Sequence, residues 1–138
     1  MERSRTRPIL KVPSEMARAW AEALGAELEQ WPGVRATRGF GMILIYRGDV
    51  VFAALPGTRM LQSEDAILIK FNGEGAALKR RLAAEPRFVE GSLESSRKPK
   101  SEGRKWRFFM LRDGSDVHVA IEWLAEAFRM ARPGRKTE

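Results

Sequence analysis

Between residues 40 and 71 three short runs rich in β-branched and aromatic residues follow one another: 40–46, 50–55 and 66–71. Arg47-Gly48-Asp49 joins the first two, Pro56-Gly57 and a polar stretch lead to the third, and Asn72-Gly73 stops it. Short β-rich segments separated by glycine-bearing connections read as hairpins, and nothing in these connections demands a parallel crossover. The chain is thereby directed toward an antiparallel sheet, and the remaining segments must cover it.

Two stretches at helical spacing provide the cover. Met16, Trp20, Leu24, Leu28 and Trp31 recur at intervals of four, four, four and three, which predicts one apolar face of a helix over about 14–30. Pro13 and Ser14 supply its start, and Trp31-Pro32-Gly33 ends it. Val117, Ile121, Leu124, Phe128 and Ala131 predict a closing helix that Ser115 can cap, after a turn at Asp113-Gly114. Between them, Leu78 and Leu82 mark a short, largely exposed helix over 74–84, and Phe88-Val89 suggests a brief strand over 87–90. Residues 105–111 form a strand with Trp106, Phe108 and Met110 on one side and Arg107 and Phe109 on the other. The order is helix, three strands, helix, two strands, helix. The expected fold is α+β, a five-stranded antiparallel sheet with the first and last helices packed on one face.

At 138 residues with 43% hydrophobic and 31% charged residues, the chain suits one domain over 13–133. A basic arm (1–12) precedes it and a basic tail (134–138) follows. Residues 91–104 are polar and broken by Gly, Ser and Pro, which predicts a mobile loop. The formal charge of +7 is unevenly spread: 1–11 carry four Lys/Arg against one Glu, 97–107 six against one, and 129–138 four against one. Those segments total +11, four more than the whole chain, so the rest is net −4. The sequence holds no cysteine, which excludes disulfides, thiolate metal sites and cysteine nucleophiles. No apolar run opens the sequence as a signal peptide would, and none is long enough to span a membrane, so a cytoplasmic protein without a membrane partner is expected.

The phrase Phe40-Gly41-Met42-Ile43-Leu44-Ile45-Tyr46-Arg47-Gly48-Asp49-Val50-Val51-Phe52-Ala53-Ala54-Leu55-Pro56 is a Phe-Gly, a strand, a basic-Gly turn and a Phe-Ala strand. With Ile67-Leu68-Ile69-Lys70-Phe71, Trp106 opening a strand and the closing Ala127-Phe128-Arg129-Met130-Ala131-Arg132-Pro133, it resembles the small bacterial TfoX N-terminal-like and MmcQ/YjbR-like domains. Glu29-Gln30-Trp31-Pro32-Gly33-Val34, Asp116-Val117 and Ala120-Ile121 are similar to the bacterial group described as luciferase domain. That group usually carries histidines beside its central strands, which this chain lacks. The resemblance covers about 14–133. It implies a fold like that of the type III secretion chaperones and, for some members, a DNA-related role; it carries over no catalytic residue.

The residues that could bear chemistry mostly have simpler duties. His118 stands alone, without the nucleophile a general base serves or the further ligands a metal needs. Glu64-Asp65 and Asp113/Asp116 match no calcium loop, and Asp at the latter positions suits turns and caps. Gly39-Phe40-Gly41 and Gly73-Glu74-Gly75 lack the rest of a phosphate-binding loop and read as turn glycines. The strongest functional signal is Arg97, Lys98, Lys100, Arg104 and Lys105, crowded beside Trp106. Cations next to an aromatic suit phosphate contact with base stacking, while the simpler reading is a solubilising loop beside a core tryptophan. Trp123 lies off the stripe of its helix and is a candidate interface residue, unless the apolar face is merely wide. The sequence therefore points to a binding domain rather than an enzyme, without cofactor or metal. Nucleic acid is the leading partner, and a protein-interaction or dimerising domain is the alternative.

Overall fold

In the computed structural model, which describes residues 10–61, 65–89 and 106–132, the first helix begins where Ser14 accepts the backbone N–H of Ala17 (3.1 Å). The Ser14 hydroxyl also donates to Asp65 (2.7 Å), tying the helix start to the sheet. The elements run β1 (Leu10–Lys11), α1 (Glu15–Leu28), β2 (Val34–Gly39), β3 (Met42–Arg47), β4 (Val50–Pro56), β5 (Met60–Leu61), β6 (Ala66–Lys70), α2 (Ala76–Ala83), β7 (Phe88–Val89), β8 (Trp106–Met110) and α3 (Gly114–Met130). Strands β2-β3-β4-β6-β8-β7 form an antiparallel sheet of six, and β1 pairs with β5 in a separate ribbon. The α+β class and the antiparallel sheet agree with the sequence reading. The count of five strands is corrected to six by β2, whose Arg35, Thr37 and Arg38 carry no apolar alternation because it lies at the sheet edge.

Helices α1 and α3 pack on one face of the sheet, as expected, and Leu78 and Leu82 of α2 join the same core. From the sheet come Ile45, Leu55, Ile67, Ile69, Phe71 and Phe109, all fully buried. The register shifts between Ile45 and Tyr46, which pair with Ala53 and Val51, so Phe52 is the extra residue of a bulge and enters the helix-side core. Burying one such ring contributes about 2–3 kcal/mol. Phe88 meets Phe109 and Trp123 edge-on at 5.1 and 5.2 Å, and Phe128 meets Trp31 and Phe52 at 5.3 and 5.8 Å. Arg47 fastens the end of α3, lying over the Phe128 ring (4.3 Å) and donating to the Phe128 carbonyl (2.9 Å).

Both long helices are rotated from their sequence stripes. In α1 the buried residues are Ala17, Ala21, Leu24 and Leu28, while Met16 is 55% exposed and Trp20 and Trp31 are half-buried. Alanines let the helix approach the sheet closely, which displaces the larger side chains to the flanks. In α3 the buried line is Asp116, Ala120, Leu124 and Ala127, with Val117, Ile121 and Phe128 half-buried beside it. Its cap is Asp113 rather than Ser115: Asp113 accepts the Ser115 N–H (2.9 Å) and hydroxyl (2.6 Å), and Asp116 closes a capping box by accepting the Asp113 N–H (3.1 Å). Helix α2 starts two residues later than Glu74, which is instead enclosed and held by Arg107 through Nε (3.0 Å) and a terminal nitrogen (2.5 Å). Arg107 thus belongs to the folded body, although its charge was counted with the basic run 97–107.

Candidate functional site

The opposite face of the sheet carries none of the described helices. Alternation in the paired strands turns Arg35 and Thr37 of β2, Met42, Leu44 and Tyr46 of β3, Val51 and Ala54 of β4, Ala66, Leu68 and Lys70 of β6, and Trp106, Phe108 and Met110 of β8 to that side. Ala54, Leu68 and Phe108 at its centre are buried, and Met60 of β5 packs among them. The described strand residues on this face include two charged side chains, both cations: Arg35 and Lys70.

Each cation meets an aromatic ring on the neighbouring strand. Register sets Arg35 against Tyr46, with the guanidinium 4.5 Å from the ring centroid, and Lys70 against Trp106, with the ammonium at 5.4 Å. Both are cation–π distances. Tyr46, Lys70 and Trp106 are half-buried and Arg35 is exposed. Because Ala53 pairs with Ile69 and Tyr46 with Val51, the two pairs lie toward the same end of the face. At the usual strand spacing the three steps from β3 to β8 set the two aromatic rings about 14 Å apart. Rings and cations alternating along an open sheet suit unpaired bases and their phosphates.

Of the residues singled out in the sequence, Arg97, Lys98, Lys100, Arg104 and Lys105 lie outside the described residues, as does Glu64. Trp106 opens β8 on the helix-free face, in contact with the smaller apolar cluster rather than enclosed in the main core. Trp123 is half-buried; its ring contacts Phe71 and Phe88, its indole N–H donates to Glu85 (3.4 Å), and Arg81 lies over it (5.1 Å), all within the chain. His118 is exposed on α3. Gly41 and Gly73 take positive φ, as turn glycines do. Among the described residues no group of three or more His, Cys, Asp or Glu is placed to hold a metal, and no helix is long and apolar enough to cross a membrane.

The carboxylates with shifted acidity serve the scaffold. Burial pushes the Asp116 carboxyl up, but Arg87 (2.6 Å) and the backbone N–H groups of Arg112 (2.6 Å) and Asp113 outweigh it and leave the group below its usual range. Burial likewise opposes ionisation of Glu85, and the guanidinium (2.9 Å) and backbone N–H (3.2 Å) of Arg87 with the Trp123 indole N–H together overcome it. Asp113 is lowered by the Ser115 hydroxyl and N–H, and Glu126 by the paired guanidinium of Arg81. These groups hold α3 to β7 and α2, on the helix side of the sheet.

Sequence reasoning missed Arg35, Tyr46 and Lys70. Their partners are distant along the chain, and only the strand register brings them together. It also missed Phe40, placed at a strand start but lying in the β2–β3 turn, 78% exposed. Comparison of the chain with family models, curated proteins and solved structures finds no match.

Proposed function

We propose that this chain is a nucleic-acid-binding domain that holds single strands on the helix-free face of its sheet, without reading sequence. One observation carries the proposal: the charged residues that the described strands turn to this face are cations, each set against an aromatic ring. The exposed guanidinium of Arg35 and the half-buried ammonium of Lys70 carry the charge that suits a phosphate, and Tyr46 and Trp106 offer planes on which bases stack irrespective of identity. The cationic run 97–105 joins β8 at Trp106 and adds charge next to the site along the chain. The net charge of +7 raises the rate and strength of encounter with a polyanion. The proposal includes the kinship with TfoX N-terminal-like and MmcQ/YjbR-like domains and their secretion-chaperone-like fold. The other reading, a protein-interaction or dimerising domain, has no comparable observation behind it, since the ring and indole N–H of Trp123 are engaged within the chain.

The test is fluorescence anisotropy of a labelled oligothymidylate with the full chain across a salt series. Affinity should fall steeply between about 50 and 200 mM salt, and Arg35→Gln and Lys70→Gln should each make the logarithmic slope shallower by about 0.7, as loss of one phosphate contact on a single strand does. Neutralising Arg97, Lys98, Lys100, Arg104 and Lys105 together should weaken binding further. No binding at about 50 mM salt, or binding indifferent to salt, removes the proposal.

A further inference from the structure

The β2–β3 connection is two residues long, with Gly39 paired to Met42 and both Phe40 (φ 56°) and Gly41 (φ 79°) in the left-handed region. That is a type I′ hairpin turn, in which Asn, Asp or Gly is at home and a bulky aromatic is strained. Phe40 is the one residue other than glycine with positive φ among the described residues, and its ring is 78% exposed. It therefore costs free energy twice, in backbone strain and in unburied apolar surface, and no packing contact within the described fold offsets either.

The turn is braced rather than loose. Arg59 donates its backbone N–H to the Gly41 carbonyl (2.9 Å), and a Cβ on Gly41 would lie 2.7 Å from the Cβ of Arg59. A Cβ on Gly57 would meet the Gly41 carbonyl oxygen at 2.5 Å, so the 57–59 segment closes tightly on the hairpin tip. Arg59 is exposed, its guanidinium donating to the Thr58 carbonyl (2.8 Å), whereas Arg38, two residues before Phe40, pairs with Ile43 and belongs to the other side of the sheet. The register that sets Lys11 against Met60 carries Val12, 59% exposed, to the position opposite Arg59. The tip therefore presents an exposed ring on a braced backbone, with Arg59 on the segment that closes against it.

On the helix-free face Tyr46 and Trp106 each stand beside a cation, and Phe40 adds an exposed ring at the tip of the same sheet. Tyr46 with Arg35 occupies the other end of the same two strands, about 20 Å away at 3.4 Å per residue. We infer that Phe40 is a further base-stacking station, with Arg59 as its phosphate contact, and that a bound single strand runs along the helix-free face of β2 and β3 to the hairpin tip. The inference rests on the nucleic-acid reading above and extends its footprint. An anionic lipid surface is the competing chemistry, but one ring with one arginine provides only a marginal anchor by itself. As an extension of a strand already held on the sheet, the same contacts act without a second cost of association.

The variant that tests this is Phe40→Gly, which relieves the backbone strain while deleting the ring and so is expected to leave the fold intact. Oligothymidylate affinity should drop between about five- and 150-fold, the loss usual for one stacked base, with an unchanged salt slope. Phe40→Trp should restore affinity and its added emission should be quenched on binding. Arg59→Gln should instead reduce the slope by about 0.7, while Arg38→Gln, on the other side of the sheet, should leave it unchanged. If Phe40→Gly binds like the parent while Arg35→Gln and Lys70→Gln weaken binding, the tip is not part of the path and only the sheet reading stands. If the parent itself does not bind, both readings fail. If vesicles of phosphatidylcholine with phosphatidylserine bind the parent and lose the Phe40→Gly variant, while oligonucleotide binding is unmoved, the tip is a lipid contact and the inference is overturned.

Discussion

Glu74 and Arg107 offer a quantitative test of how the fold is held. The Glu74 side chain is fully enclosed, while 26% of the Arg107 side chain remains in solvent. Deleting the cation by Arg107→Met keeps most of the packing but leaves a carboxylate enclosed and unpaired, a change that typically costs about 3–5 kcal/mol. The reverse change, Glu74→Gln, leaves a guanidinium that still reaches water and an amide that still accepts one bond. Its cost should be nearer about 1–2 kcal/mol. The asymmetry, about 2 kcal/mol, follows from the unequal burial of the two partners, and the double variant should recover at least about 1 kcal/mol of the summed single losses. Urea unfolding followed by tryptophan fluorescence measures all four states, with the shift read from midpoints at constant slope. Equal losses in the two single variants, or strict additivity in the double, would refute the reasoning.

Asp116, Asp113, Glu85 and Glu126 all titrate below their ordinary range in the folded chain. The unfolded chain binds their protons first as pH falls, so their stabilisation is complete well above about pH 4 and is lost as pH drops through the lower folded values. Asp116→Asn should lower the thermal midpoint at pH 7 and flatten its fall below about pH 4; an equally steep acid limb in the variant would count against this assignment. Gly41→Ala and Gly57→Ala should each destabilise by about 1–3 kcal/mol, the former through its dihedral and both through their close approaches. Gly114→Ala, in open space at ordinary φ on the first turn of α3, should instead stabilise by about 0.4–1 kcal/mol. Thermal melts that fail to separate these glycines would remove the geometric argument.

What the sequence disclosed is what local chemistry dictates. The start of α1 at Ser14, the hairpin around Gly48 and the two-faced character of β8 follow from caps, turns and alternation over a few residues. Strand β2 escaped because an edge strand needs no apolar face, and Val34-Arg35-Ala36-Thr37-Arg38-Gly39 shows none. The two-residue strands β1 and β5 are too short for any period to register. Helix rotation was misjudged because the alanines that approach the sheet most closely are the least conspicuous apolar residues in a pattern. The candidate site was half legible: Trp106 beside a basic run stood out. Its partnership with Lys70 depends on the β6–β8 register and could not be inferred from either segment by itself.

The division of the sheet into a helix-covered and a helix-free side gives adjacent residues of β3 different duties. Ile43, Ile45 and Arg47 face the helices, whereas Leu44 and Tyr46 face the helix-free side, Leu44 against the smaller apolar cluster and Tyr46 against Arg35. A mutational scan along this strand should therefore oscillate toward its Tyr46 end, with the loss of stability larger at Ile45 and Arg47 than at Tyr46. One strand thus carries two separable surfaces, so that a change at Tyr46 alters the open side without disturbing the contacts its neighbours make with the helices.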